Sequence, residues 1–96
     1  MNPTAESILG FLREHKQELE RFSVRRIGLF GSFRHGRVHE QSDIDLLVDL
    51  AEPTFDNYMD LKFYLEEHFG RAVDLVLAET LKPRLRPLLE QEVEYA

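Results

Sequence analysis

Every second residue along 43–50 is apolar, and this alternation is the strongest local pattern in the chain. The apolar residues of this period are Ile44, Leu46, Val48 and Leu50. Side chains at i and i+2 of a strand project from the same face, roughly 6–7 Å apart along the backbone. The pattern therefore predicts a strand with one buried face, and it sets Asp43 and Asp45 side by side on the opposite face.

The rest of the chain divides into short apolar runs and stretches with apolar residues at helical spacing. The predicted strands are 26–30, 43–50 and 72–77, and the predicted helices run from the capping residue Thr4 through Phe22, over 56–69 to Gly70, and from Pro87 onward. This order predicts an α/β (α+β) fold, a small mixed three-stranded sheet flanked by helices.

Composition limits the class of protein. The 96 residues predict a single domain over 1–96. No apolar run approaches the roughly 18 residues of a membrane span, and the absence of cysteine excludes disulfides and thiolate metal sites. We therefore expect a cytoplasmic protein without membrane contact. The net charge of −6 disfavours direct DNA or RNA binding, which needs a basic face, but it permits a nucleotide whose charge is carried by a divalent metal.

A third carboxylate, Asp74, interrupts the apolar run at 72–77. Burial of an unpaired carboxylate costs several kcal/mol, so Asp74 needs a basic partner, hydrogen-bond donors or a metal. If its strand lies beside strand 43–50, Asp74 faces the same site as Asp43 and Asp45. Three carboxylates on strands suit Mg²⁺, and two such ions about 3.5–4 Å apart suit phosphoryl chemistry. Asp74 is then both a metal ligand and a candidate general base.

Gly31 and Ser32 follow the strand at 26–30 and form a candidate phosphate-binding turn. Glycine lets the backbone approach a phosphate closely, and successive backbone N–H groups with a serine hydroxyl form an anion nest. Arg34 is a further candidate contact for nucleotide phosphates. The other basic residues of this stretch that are able to reach a triphosphate are Arg37, His35 and His39, although a solvated loop is the simpler interpretation of the histidines.

Each of these features has an ordinary explanation when taken alone. A Gly-Ser pair is usually only a turn, and Asp-x-Asp at a strand start is more often a solvated edge or a cap. The spacing from Gly31-Ser32 to Asp43 and Asp45 is different, since it arises by chance in about one in a thousand chains of this length. The combination therefore favours a nucleotide and metal site.

With these residues the chain resembles the minimal nucleotidyltransferases, the MntA-like antitoxins of the DNA polymerase β-like nucleotidyltransferase superfamily. The resemblance implies that the fold is a polymerase β-like nucleotidyltransferase core. It also implies that Gly31 and Ser32 hold nucleotide phosphates and that Asp43, Asp45 and Asp74 bind Mg²⁺. The implied activity is transfer of AMP from ATP to a tyrosine of a HEPN-domain toxin encoded nearby, which silences that toxin.

Two other functions remain open from the sequence. One is an antitoxin that neutralises its partner by binding alone, and the other is the catalytic subunit of an antibiotic nucleotidyltransferase. The predicted elements leave no segment for an acceptor-binding domain, so we expect the acceptor to come from another subunit.

Overall fold

The computed structural model describes residues 3–36 and 43–96 and builds them around a mixed sheet of four strands. The strands are β1 (Val24–Phe30), β2 (Ile44–Leu50), β3 (Val73–Leu77) and β4 (Glu94–Tyr95). The helices are α1 (Ala5–Glu14), α2 (Lys16–Glu20), α3 (Gly31–Arg34), α4 (Phe55–Phe69) and α5 (Arg86–Glu92), with a 3₁₀ turn at Ala78–Thr80. The spatial order is β3-β2-β1-β4, in which β2 and β3 are parallel and the other neighbours are antiparallel. The predicted α/β class and mixed sheet are confirmed.

The sheet has one strand more than the sequence predicted. Strand β4 is only two residues long, too short for an alternating pattern to be visible. It pairs with Gly28 and Leu29 of β1. A Cβ at Gly28 would lie 2.9 Å from the Glu94 carbonyl oxygen and 3.0 Å from the Tyr95 ring. Glycine at this position is therefore what allows the C-terminal segment to pack closely against β1.

The first predicted helix is divided in two. Thr4 caps α1 as predicted, because its Oγ1 accepts a hydrogen bond of 3.1 Å from the Ser7 N–H. The helix ends at Glu14, and α2 begins after His15. The His15 ring stacks on Phe11 at 4.1 Å, and His68 stacks on the same residue at 3.7 Å. Both histidines therefore have a packing role here.

The other predicted boundaries agree with the structure to within two residues, except that the last helix, predicted from Pro87 onward, ends at Glu92 before β4. The C-cap of α4 is Gly70 in the left-handed conformation, at φ 65°, as expected for a glycine that ends a helix. Helix α5 begins at Arg86, so Pro87 occupies its first turn, where a missing N–H costs nothing.

The main core lies on the face of the sheet that carries the predicted apolar stripe. Helices α1 and α4 pack on this face, and the side chains buried there include Ile8, Leu12, Leu29, Ile44, Leu46, Val48, Leu61 and Leu65. Leu47 is also buried, at 1% exposure, although it lies on the opposite face. Among the described residues, no helix combines the length and the apolar character needed to cross a membrane.

Candidate functional site

The register of two parallel strands brings Asp45 and Asp74 together. Asp45 of β2 lies directly opposite Asp74 of β3, so both side chains leave the same face of the sheet. Asp43 lies one residue before β2, where the Ile44 N–H donates to the Ala72 carbonyl at 3.0 Å. We assumed from the sequence that strand 72–77 lies beside strand 43–50, and the structure shows this pairing.

The burial of the two paired carboxylates differs from the expectation. Asp74 is exposed, whereas Asp45 is partly buried. The desolvation cost that the sequence predicted for Asp74 therefore falls on Asp45 instead. The reason is that β3 is an edge strand of the sheet, while β2 has neighbours on both sides.

Helix α4 holds the strand that carries Asp74. The Lys62 ammonium donates to the Val73 carbonyl at 2.6 Å, and Glu66 Oε2 accepts from the Val73 N–H at 2.9 Å. The Tyr58 hydroxyl donates to the Leu75 carbonyl at 2.6 Å. These bonds satisfy backbone groups on both sides of Asp74 along the outer edge of β3, which would otherwise be open to another strand. They leave the Asp74 side chain free to face the site.

The Gly31 turn contacts the Asp45 carboxylate. Gly31 follows Phe30, the residue of β1 that is paired with Asp45, and it has φ +75°. A Cβ at this position would lie 2.9 Å from the Asp45 Cγ. The glycine is therefore required twice, once for its backbone conformation and once for the space that Asp45 occupies. The predicted phosphate turn and the predicted carboxylates are thus neighbours in the fold.

A short helix continues from this turn. Helix α3 spans Gly31–Arg34, with Ser32 partly exposed and Phe33 buried in the core. Arg34 is exposed and, together with Thr4 and His35, lines an open depression of about 490 Å³ between α3 and the start of α1. Arg37 and His39 lie outside the residues that the structure describes.

The negative charges at this site repel one another. Burial raises the pKa of Asp45 from 3.8 to about 6, with further contributions from the negative charges of Asp74 and Asp43 and from a side-chain hydrogen bond with Asp74. Asp45 is thus desolvated and faced by two like charges, an arrangement that favours either a proton or a cation. Strongly perturbed carboxylates of this kind are typical of functional sites.

The donor chemistry of this site fits Mg²⁺, which prefers carboxylate oxygens and takes further ligands from phosphates and water. In residues 3–36 and 43–96, however, no three His, Cys, Asp or Glu side chains are arranged so that they could hold a metal ion together. The case for Mg²⁺ therefore rests on the chemical identity of the three carboxylates and on the raised pKa of Asp45.

Two supporting features were not predicted from the sequence. The first is the polar row of Tyr58, Lys62 and Glu66 at i, i+4 and i+8 on α4, a periodicity that indicates one polar face and was detectable. The second is Arg71, whose guanidinium lies 5.3 Å from the centre of the Phe33 ring. Arg71 precedes β3 and gave no signal in the sequence, because its proximity to α3 is purely tertiary.

Comparison with known proteins identifies relatives over nearly the whole chain. The family model described as a nucleotidyltransferase domain matches residues 12–96. The protein adenylyltransferase MntA of Thermococcus cleftensis is 45% identical over 94 residues, which cover 96% of this chain and 95% of that protein.

Solved structures of other proteins share the fold, and two of them illustrate the similarity. One, described as that of a minimal nucleotidyltransferase, has a TM-score of 0.82 and 32% identity, covering 96% of this chain and 95% of the other. The second, a toxin–antitoxin structure with AMP-PNP, has a TM-score of 0.68 and 26% identity, covering 85% of this chain and 69% of the other.

Proposed function

The chain belongs to the nucleotidyltransferase domain family, and we propose that it is a cytoplasmic antitoxin that transfers AMP from ATP to a tyrosine hydroxyl of a HEPN-domain toxin. The observation that carries this proposal is the meeting of the Gly31 turn with Asp45 beside Asp74. Support for the donor and the partner comes from the 45% identical protein adenylyltransferase and from the related toxin–antitoxin structure with AMP-PNP.

In this function Asp43, Asp45 and Asp74 would hold Mg²⁺. When bound, the metal neutralises phosphate charge and lowers the pKa of an attacking hydroxyl. Burial and the neighbouring carboxylates Asp74 and Asp43 raise the pKa of Asp45, so a cation held by these residues would offset part of the cost of keeping Asp45 ionised.

Gly31 and Ser32 orient the nucleotide. The positive φ of Gly31 turns the chain so that the backbone N–H groups at the start of α3 and the Ser32 hydroxyl face the phosphates. Because Asp45 contacts this same turn, a nucleotide on the turn has its phosphates next to the carboxylates. This positioning supplies the entropic part of catalysis.

Asp74 is the residue that we assign to proton removal. It is exposed and therefore accessible to a hydroxyl of another molecule. The tyrosine oxygen forms a bond to the α-phosphorus of ATP, the bond from that phosphorus to the oxygen bridging to the β-phosphate breaks, and pyrophosphate leaves. The proton of the tyrosine passes to the Asp74 carboxylate.

The placement of Asp45 opposite Asp74 and against the Gly31 turn argues against the alternative of an antitoxin that acts by binding alone. A protein that only binds its partner gains nothing from like charges held together at a cost in stability. The antibiotic nucleotidyltransferase has no such specific observation in its favour.

The proposal is tested by incubating the protein with Mg²⁺, α-labelled ATP and the purified partner toxin. We expect label on the toxin with the wild type and none with Asp43→Ala or Asp45→Ala. Asp49→Ala is the matched control, because Asp49 lies on the same face of β2 as Asp45 but outside the carboxylate group. Undiminished labelling by both site variants would refute the proposal. Neutralisation of the toxin by unlabelled variants would favour binding alone.

A further inference from the structure

A groove beside β1, at the edge of the sheet opposite to β3, has the features of a peptide-binding site. It lies between α2 and β1, at the end of β1 away from Gly31, and contains a partly open cavity of about 130 Å³. The buried side chains Leu12, Leu19 and Ile27 form its apolar floor. A cavity of about 150 Å³ is large enough for benzene, so this groove has room for one side chain of medium size on its apolar floor.

The backbone beside this cavity lies at an open edge. Strand β4 is paired only with Gly28 and Leu29 of β1, and the Ala96 N–H extends the contact to the Ile27 carbonyl at 2.9 Å. Along the described part of the chain, no strand covers the remaining β1 residues 24–26 on this side. The opposite edge of the sheet differs, because side chains of α4 occupy the outer backbone groups of β3. An incoming extended segment therefore has one edge on which to add.

The walls of the groove are basic. Lys16, Arg25 and Arg26 line it, against one carboxylate, Glu20. Arg26 is already engaged, at 3.9 Å from Glu90 and with its guanidinium 4.0 Å from the Tyr95 ring centre. Lys16 and Arg25 are exposed, and neither forms an ion pair with any described residue. A basic groove on a chain of net charge −6 is a local feature that is complementary to an anionic ligand.

From these three features we infer that the groove docks an extended acidic segment of the acceptor protein, with one apolar side chain in the cavity. The inference rests on the proposed function, since it assigns a second contact to the same acceptor. Carboxylates of the segment pair with Lys16 and Arg25, and its backbone pairs with β1 beside β4. A nucleic acid fits less well, because the apolar floor offers nothing to a phosphate and the chain as a whole is acidic.

A docking site remote from the reacting atoms affects recruitment of the acceptor and leaves the chemical step unchanged. The test is therefore a binding measurement with the purified partner toxin, made by isothermal titration calorimetry without nucleotide. We expect the double variant Lys16→Glu/Arg25→Glu to raise the Kd at least tenfold, and Lys16→Gln/Arg25→Gln to raise it less. The matched control is Lys82→Glu/Arg84→Glu, which reverses two exposed basic residues outside the groove and should leave the Kd unchanged.

Labelling of the toxin from α-labelled ATP is measured in parallel. The groove variants should need more toxin for half-maximal labelling and reach the wild-type rate at saturation. Weakened binding in the groove variant supports the inference even if the wild type transfers no label, a result that refutes only the proposed function. Equal Kd values for wild type and groove variant overturn the inference. The inference is also overturned if the wild type does not bind the toxin. It is overturned as well if the groove variants change only the self-association or the RNA binding of the isolated protein.

Discussion

Replacing Asp45 by asparagine should stabilise the protein while abolishing transfer. Asparagine preserves the shape of the side chain and removes its charge. Burial of the Asp45 carboxylate is the main reason that its pKa is raised, and the charges of Asp74 and Asp43 raise the pKa further. Loss of the charge therefore removes the cost of burying it and the repulsion in the folded state, whereas most substitutions destabilise a protein.

The magnitude follows from the pKa of Asp45, which rises from 3.8 to about 6. A shift of one unit corresponds to about 1.4 kcal/mol, which sets a ceiling of about 3 kcal/mol on the cost of ionised Asp45. Solvent screens this cost because the side chain is only partly buried, so we expect about 1 kcal/mol. In a domain of this size that corresponds to a rise in Tm of about 4–8 °C.

The direction of the pKa shift of Asp45 also predicts how the stability difference between the wild type and Asp45→Asn depends on pH. Below pH 3.8 the carboxyl is protonated in both the folded and the unfolded protein, and Asp45→Asn gains nothing. Between pH 3.8 and about 6 the unfolded chain loses this proton more readily than the folded protein, so the wild type becomes less stable relative to the variant as pH rises. The full difference is reached above about pH 6.

The assay is urea unfolding followed by circular dichroism at pH 4 and pH 7.5, in the absence of divalent metal. Asp49→Asn is the control, since Asp49 lies on the same face of β2 and interacts favourably with Arg86, so its loss should be neutral or destabilising. A variant Asp45→Asn that is no more stable than the wild type at pH 7.5 would refute the reasoning. A difference that persists unchanged at pH 4 would also contradict it.

Three further outcomes are expected. Gly31→Ala should reduce transfer at least tenfold, because the added Cβ meets Asp45. The control is Gly70→Ala, at a glycine with a similar positive φ but with open space around it, which should retain transfer and lose only about 1 kcal/mol of stability. Equal effects of the two variants on activity would contradict this. Tyr58→Phe, which removes the 2.6 Å bond to the Leu75 carbonyl, should lower the free energy of unfolding by about 1 kcal/mol in urea titration, and an unchanged midpoint would oppose it. Removal of divalent metal by EDTA should abolish labelling of the toxin and added Mg²⁺ should restore it, so labelling that persists in EDTA would exclude the metal.

The elements with a complete local pattern were predictable from the sequence. Strand β2 shows its buried face in every second residue, and Thr4 and Gly70 mark helix ends by side-chain and backbone chemistry that acts over a few residues. Strand β4 and the break at His15 were not predictable in this way. Two residues are too few to show a period, and the helical spacing of apolar residues continues across the break.

The candidate site was predictable in its residues and only partly in its arrangement. The spacing from Gly31 to Asp45 identified the turn and the carboxylates, but the pairing of Asp45 with Asp74 depends on strand register, which one sequence does not contain. The sequence also predicted the wrong carboxylate as the buried one: it predicted Asp74, whereas the structure partly buries Asp45. Burial of a carboxylate depends on whether its strand is central or at an edge, and that is a property of the whole sheet.

The most direct test of the central claim is the intact mass of the partner toxin after incubation with the protein, ATP and Mg²⁺. We predict a mass increase equal to one or more AMP groups, located on tyrosine by fragmentation, and no increase with Asp45→Asn. An unchanged toxin mass with the wild type would contradict the account, as would an equal increase with the variant.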